Sequence, residues 1–185
     1  MGRPIPGHDV RIVDESGHEL AAGETGQVGI RRGDPVMFLG YWNNAQATKA
    51  KYAGEFLLTG DLAKQDERGY VWFVGRSDDL ITTAGYRVGP AEIEECLLKH
   101  PAVAMAAVIG VPDPIRTESI KAFLVLKPGK AGGEALAREV QDFVKTKLAA
   151  HEYPRAVEFV EALPMTTTGK IMRRELRARE ARGTG

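Results

Sequence analysis

A single cysteine, Cys96, in 185 residues rules out any intrachain disulfide, and with it the small stapled scaffolds of secreted proteins. Charge of one sign is not in excess either. Twenty-five Lys and Arg balance twenty-five Asp and Glu, which argues against a generally basic nucleic-acid binder and against an acidic solvating tail. Long hydrophobic runs are missing: the longest, Ala102 to Val111, is about half of what a membrane helix needs. Met1 to Gly7 lacks the apolar stretch of a signal peptide. The expectation is a soluble, reduced, cytoplasmic protein with no membrane span. There is no internal repeat and no low-complexity tract. No Gly-x-x-x-x-Gly-Lys-Ser/Thr loop, Gly-x-Gly-x-x-Gly turn or Gly-x-Ser-x-Gly elbow occurs, and no Cys/His set suits a metal. His8, His18, His100 and His151 are scattered over expected turns and element ends and read as inert.

What is present has the apolar content, 43%, of an ordinary folded chain. Residues 1 to 76 are glycine-rich, with short apolar runs. Strands are expected at 8–13, 27–31, 56–59 and 70–75, separated by turns such as Asp14-Glu15-Ser16-Gly17 and Asp66-Glu67-Arg68-Gly69. A short helix is expected at 45–52. Turn signals every ten or so residues predict a small antiparallel sheet or barrel.

From Ser77 the texture is mixed. Residues 80–83 and 86–88 can pair as a hairpin across Ala84-Gly85. Gly89-Pro90 opens a helix, because proline is tolerated in a first turn whose N–H groups have no partner. The run 103–111 reads as a strand covered on both faces, followed by a strand at 120–126. Leu136, Val140, Phe143, Val144 and Leu148 recur at helical spacing over 134–149. A strand at 157–160 and a charged helix at 171–182 complete the order β-β-α-β-β-α-β-α. The class is α+β: a β-barrel piece over 1–76, then a small open sheet flanked by helices over 77–185.

Three stretches could carry chemistry. Leu58-Thr59-Gly60-Asp61-Leu62 places a carboxylate at a strand terminus, where it could accept two hydrogen bonds from a vicinal diol or cap its own turn. The stretch from Gly75 to Glu94 packs Arg76, the acidic pair Asp78-Asp79, Gly85 and Arg87 at the change of texture. An arginine fork suits planar oxyanions, and it suits a surface ion-pair cluster equally. Leu163 to Arg174 holds Lys170 in a polar loop before a helix, fit either to reach an anionic ligand or simply to be solvated.

Taken in order, Thr59-Gly60-Asp61, Gly75-Arg76-Ser77-Asp78-Asp79, the run from Ala84 to Glu94 and Thr168-Gly169-Lys170 resemble four motifs of the adenylate-forming superfamily. The resemblance extends to Gly2-Arg3-Pro4, Gly23-Glu24-x-Gly26 and Gly40-Tyr41-Trp42-Asn43. It is to the AMP-forming acyl-CoA synthetases, and the Gly-Tyr-Arg-Val-Gly-Pro wording looks most like the acetyl- and medium-chain branch. The resemblance implies the C-terminal part of a longer enzyme. Residues 1–76 would be the last, β-barrel subdomain of its N-terminal region and 77–185 its mobile C-terminal domain. Carboxylate, ATP and CoA, with Mg2+, would be turned into acyl-CoA, AMP and pyrophosphate. Asp61 and Arg76 would hold the ribose of ATP and acyl-AMP, and Asp78 would be the hinge. Lys170 would serve the adenylation step. After a swing of the C-terminal domain, Ala84, Gly85 and Tyr86 would line the pantetheine tunnel, and Arg87 would meet a phosphate. No metal ligand is implied in this chain.

Two positions depart from the family pattern. Thr117 stands before Glu118 where glycine is usual, which implies the loss of a glycine torsion. Met165 stands where lysine is common, which removes a positive charge. Three other readings stay open: a non-catalytic interaction module, an adenylating enzyme that serves a carrier protein, and nucleic-acid binding through 170–182. That last segment has six basic groups against two acidic, net +4, but no interleaved aromatics, and reads better as a solvated helix face.

Overall fold

The computed structural model describes residues 1–183. The chain forms two compact units, Met1–Asp78 and Asp79–Gly185.

The first unit contains β1 (Val10–Val13), β2 (Thr25–Arg31), α1 (Ala45–Lys49), β3 (Tyr52–Ala53), β4 (Phe56–Gln65) and β5 (Val71–Arg76). One long edge of β4 pairs with β2, which pairs with β1. The other edge of β4 pairs with β3 near its start and with β5 near its end, all antiparallel. The sheet curls like half a barrel around Ile12, Val28, Ala63 and Val71. Its turns are built by aspartates. Asp14 Oδ1 accepts from the N–H groups of Ser16 and His18, and Asp66 Oδ1 from those of Arg68 and Tyr70. Asn44 caps α1 by accepting from the Ala47 N–H at 2.9 Å.

Strand β4 departs from expectation, running through Gly60-Asp61 to Gln65. Gly60 takes φ +85°, and the register with β5 shifts between Leu62 and Ala63. A bulge thus bends the strand instead of ending it. Asp61 lies inside a paired strand, not at its terminus.

The second unit contains β6 (Ile81–Thr83), β7 (Tyr86–Val88), α2 (Pro90–Leu98), β8 (Val103–Asp113), β9 (Thr117–Leu126), α3 (Glu134–Lys145), β10 (Ala156–Phe159) and α4 (Arg173–Gly183). Strand β9 is the centre. It pairs with β8 along one edge and with β10 and β6 along the other, and β6 carries β7. The β9–β10 pair is parallel. Side chains alternate across a strand, so β8 and β9 serve two cores. Ala106, Val108, Ile120, Ala122 and Leu124 meet α2 and α3 through Ile93, Leu97, Val140 and Val144. Ala107, Ile109 and Phe123 meet Leu163 and Leu176 on the opposite face. Burial of both faces explains the continuous apolar run of β8.

Helix α3 stops at Lys145, short of the expected 149, with Thr146 as its C-cap. Leu148 still packs onto the core, because its N–H continues the turn to the Val144 carbonyl. Helix α4 buries little apolar surface beyond Leu176, and ion pairs hold it to the unit. Lys121 bridges Glu158 and Glu180 at 2.8 and 2.6 Å, and Arg179 reaches Glu158. Arg173 and Arg177 bind carboxylates as well. Part of the basic run therefore differs from the solvated face expected: Arg173, Arg177 and Arg179 pair with carboxylates of the fold, while Lys170, Arg174 and Arg182 are exposed.

Candidate functional site

In the first unit, antiparallel register sets Asp61 opposite Arg76. Arg76 donates from Nη1 to Asp61 Oδ1 at 3.0 Å and to the Thr59 carbonyl at 3.3 Å, and from Nε to Asp78 Oδ1 at 3.0 Å. Partial burial opposes the guanidinium charge, and the Asp61 and Asp78 carboxylates overcome it, holding its pKa further up. Gly60 is demanded by its torsion. Its φ is left-handed, and a Cβ would sit 3.0 Å from Arg76 Nη2. Ser77 closes the corner, its N–H and hydroxyl both donating to the Gly60 carbonyl, at 2.8 and 3.1 Å. A cleft of about 380 Å³ borders this corner, lined by Gln27, Tyr41, Lys51, Leu58, Gly60 and Ser77. A carboxylate fixed by an arginine can orient a diol; Asp61 and Arg76 adjoin the cleft-lining Gly60 and Ser77 in sequence but do not themselves line it.

In the second unit, Lys170 is exposed at the end of a tight turn. Its N–H donates to Thr166 Oγ1 at 3.0 Å and its carbonyl accepts from the Thr166 N–H at 2.8 Å. Gly169 takes φ +79° to close the turn, and Met165 bridges Ile171 across its base. Buried Leu163 on one side and Leu176 on the other, with Ile171 packed between elements, pin the base to the core. The loop is therefore a projecting, anchored cation rather than a loose one.

Ala84 and Gly85 form the two-residue turn of the β6–β7 hairpin, with φ of +50° and +84°. Two consecutive positive torsions match the right-handed twist of a hairpin. Gly85 is thus required by the turn as well as suited to close approach. Tyr86 is half exposed and stacks on His151, with centroids 3.9 Å apart. Arg87 is exposed on β7.

Reading from sequence did not foresee several contacts. His151, taken as inert, is the stacking partner of Tyr86. His100 lies in the core, accepting at Nδ1 from the Ala102 N–H, with Nε2 3.3 Å from Glu139. Glu118 accepts from the Thr82 N–H at 2.6 Å and so ties β6 to β9. A Cβ on Gly110 would fall 2.6 Å from that carboxylate, and this glycine inside an apolar strand was the available signal. The expected loss of a glycine torsion at 117 does not occur: Thr117 itself adopts φ +71°. The backbone keeps the conformation and the side chain bears the strain.

Among the described residues no cluster of three or more His, Cys, Asp or Glu could hold a metal ion. Nor is any helix of the described residues long and apolar enough to cross a membrane.

Residues 92–170 match the family described as AMP-binding enzyme C-terminal domain. The chain is 49% identical over 181 residues to the acetyl-coenzyme A synthetase of Bacillus subtilis, covering 97% of this chain and 32% of that one. It is 48% identical over 185 residues to the mitochondrial acyl-coenzyme A synthetase ACSM5 of Rattus norvegicus, with the same shares. The crystal structure of ATP-bound MatB from Rhodopseudomonas palustris superposes with a TM-score of 0.83 at 38% identity, over 96% of this chain and 35% of that one. The chain spans about a third of the length of the curated relatives it matches.

Proposed function

This chain belongs to the adenylate-forming enzymes and carries their C-terminal domain, and from that premise we propose that it works as part of an AMP-forming acyl-CoA synthetase. The reaction has two halves. A carboxylate oxygen attacks the α-phosphorus of ATP and pyrophosphate leaves. The thiol of CoA then attacks the acyl carbon of the acyl-AMP and AMP leaves.

In this reading Asp61 accepts hydrogen bonds from the ribose hydroxyls. Arg76 fixes that carboxylate and binds the same sugar. Asp78, held by Arg76, is the last residue before the second unit and acts as the hinge. Lys170 supplies a positive charge where negative charge develops during adenylation. Ala84, Gly85 and Tyr86 face the pantetheine arm of CoA in the second half-reaction, and Arg87 meets a phosphate. The magnesium expected with ATP finds no ligand cluster among the described residues, and no step here is assigned to it.

The Lys170 turn is the observation that carries the reading. Hydrogen bonds and a buried base fix the backbone of a cation that itself stays exposed. A preorganised donor acts in the transition state without reorganisation, and removing one typically costs about 10²–10³ in rate.

The test is Lys170→Ala in the full-length enzyme. Pyrophosphate release from carboxylate and ATP should fall by about that factor, while acyl-CoA formation from supplied acyl-AMP persists. Equal losses in both half-reactions would remove Lys170 from its assigned role. The isolated chain should release no pyrophosphate with ATP, magnesium and any carboxylate.

A further inference from the structure

We propose that Arg173 is a positioning residue that couples the Lys170 turn to Asp79, so that the adenylation cation moves as one body with the start of the second unit. The proposal rests on the role given to Lys170 above.

The geometry is a closed, partly buried charge network. Arg173 donates from Nε and Nη2 to the two oxygens of Glu94, at 3.1 and 2.6 Å, and from Nη1 to Asp79 Oδ2 at 3.0 Å. Arg177, one turn along α4, donates from Nη2 to Asp79 Oδ1 at 2.6 Å. Glu94 Oε1 also accepts from the Val108 N–H of β8 at 2.8 Å. The side chains of Arg173, Asp79 and Glu94 are 19%, 14% and 12% exposed. Burial pushes the Glu94 carboxyl up, against the pull of Arg173.

A bidentate fork on one carboxylate plus a third bond to another fixes a guanidinium in both position and plane. The fixed points matter. Asp79 opens the second unit directly after Asp78. Glu94 belongs to α2 and, through Val108, to the central sheet. Arg173 follows Lys170 by three residues and begins α4. Leu163 and Leu176 hold the Lys170 turn from the apolar side, and the polar network holds its other end. Without the network the tight turn would keep its apolar anchor and its own hydrogen bonds, but no tie to Asp79. The β6–β7 hairpin is secured separately, by Glu118 on the Thr82 N–H and by the Ala84 N–H on the Arg116 carbonyl. Asp79 lies two residues before β6, but the turn end of the hairpin is fastened through Glu118 and Arg116 and not through Arg173.

That separation supplies the test. In the full-length enzyme Arg173→Met should slow pyrophosphate release by about 10²-fold, the scale of a small misplacement of a reacting group. Acyl-CoA formation from supplied acyl-AMP should stay near the wild-type rate, because the hairpin fastenings are untouched. Asp79→Asn should show the same split more weakly, and Arg173→Lys, whose ammonium lacks the planar fork that holds both oxygens of Glu94, should restore only part of the rate. Amide exchange gives an activity-free reading: in Arg173→Met, amides of 166–172 should lose protection while those of 82–88 keep it. Equal loss in both half-reactions, unchanged adenylation, or failure of both the Met and Asn variants to fold would overturn the proposal, the last by making the network purely structural. If Lys170→Ala spares adenylation, the role of Lys170 fails, and the exchange result alone then decides the coupling.

Discussion

Replacing Thr117 with glycine should make the second unit more stable. A β-branched residue at φ +71° brings its Cβ against its own carbonyl, at a cost of about 1–2 kcal/mol. Glycine removes that cost but frees the unfolded chain, which offsets about 0.4–1 kcal/mol. The Thr117 side chain is exposed, so no buried surface is lost. Its pairing with Asp113 and Thr83 is made by backbone and survives. The net gain is of order 0.5–1 kcal/mol, which would slow exchange of the deepest amides about 2- to 5-fold. The amides to follow are those of Ile120 to Leu124, in the middle of the sheet and buried at both ends. The amides of Ile12, Val28 and Ala63, buried in the first unit, serve as an internal reference. Alanine at 117 keeps the Cβ and should gain little, while asparagine, which tolerates the left-handed region, should fall between alanine and glycine. If glycine exchanges faster than threonine, or alanine gains as much as glycine, then Thr117 is not strained and the argument fails.

Two further outcomes are expected. Gly60→Ala should cost about 1–2 kcal/mol in the first unit through its left-handed torsion, and its Cβ should displace the Arg76 guanidinium from Asp61; denaturation of the variant and a raised KM for ATP in the full-length enzyme would show it, and an unchanged KM would separate this corner from ribose binding. In the first unit acid should act through carboxyls held below the ordinary 3.8, among them Asp14, Asp34 and Asp66, chiefly by N–H groups of His18, Val36 and Tyr70 respectively. Because those folded pKa values are depressed, their stabilisation is full above the ordinary value and is lost as pH falls below it. A far-ultraviolet circular-dichroism titration that is flat from pH 5 down to 2 would contradict this.

Most of the local structure was legible in the order of residues. Aspartate and glycine turns, the proline that opens α2, the Ala84-Gly85 hairpin and the apolar period of α3 are short-range effects, set by φ preferences and by side-chain spacing along one element. The motif residues were legible for the same reason, since Thr59-Gly60-Asp61 and Thr168-Gly169-Lys170 are contiguous words. Meetings between groups far apart in the chain were not legible. Gly60 looked like a strand end until Arg76, sixteen residues later, showed it to be a bend within β4. Arg173 and Arg177 of α4 looked solvated until Asp79 and Glu94 arrived opposite them. His151 became the partner of Tyr86 only when the segment after α3 was brought beside the hairpin. A charge or a ring carries no mark in sequence of which distant group will meet it, because that meeting is fixed by sheet register and by the packing of helices on the sheet. Residue order told which side chains could act; the packing of β9 with its neighbours settled which of them are held still.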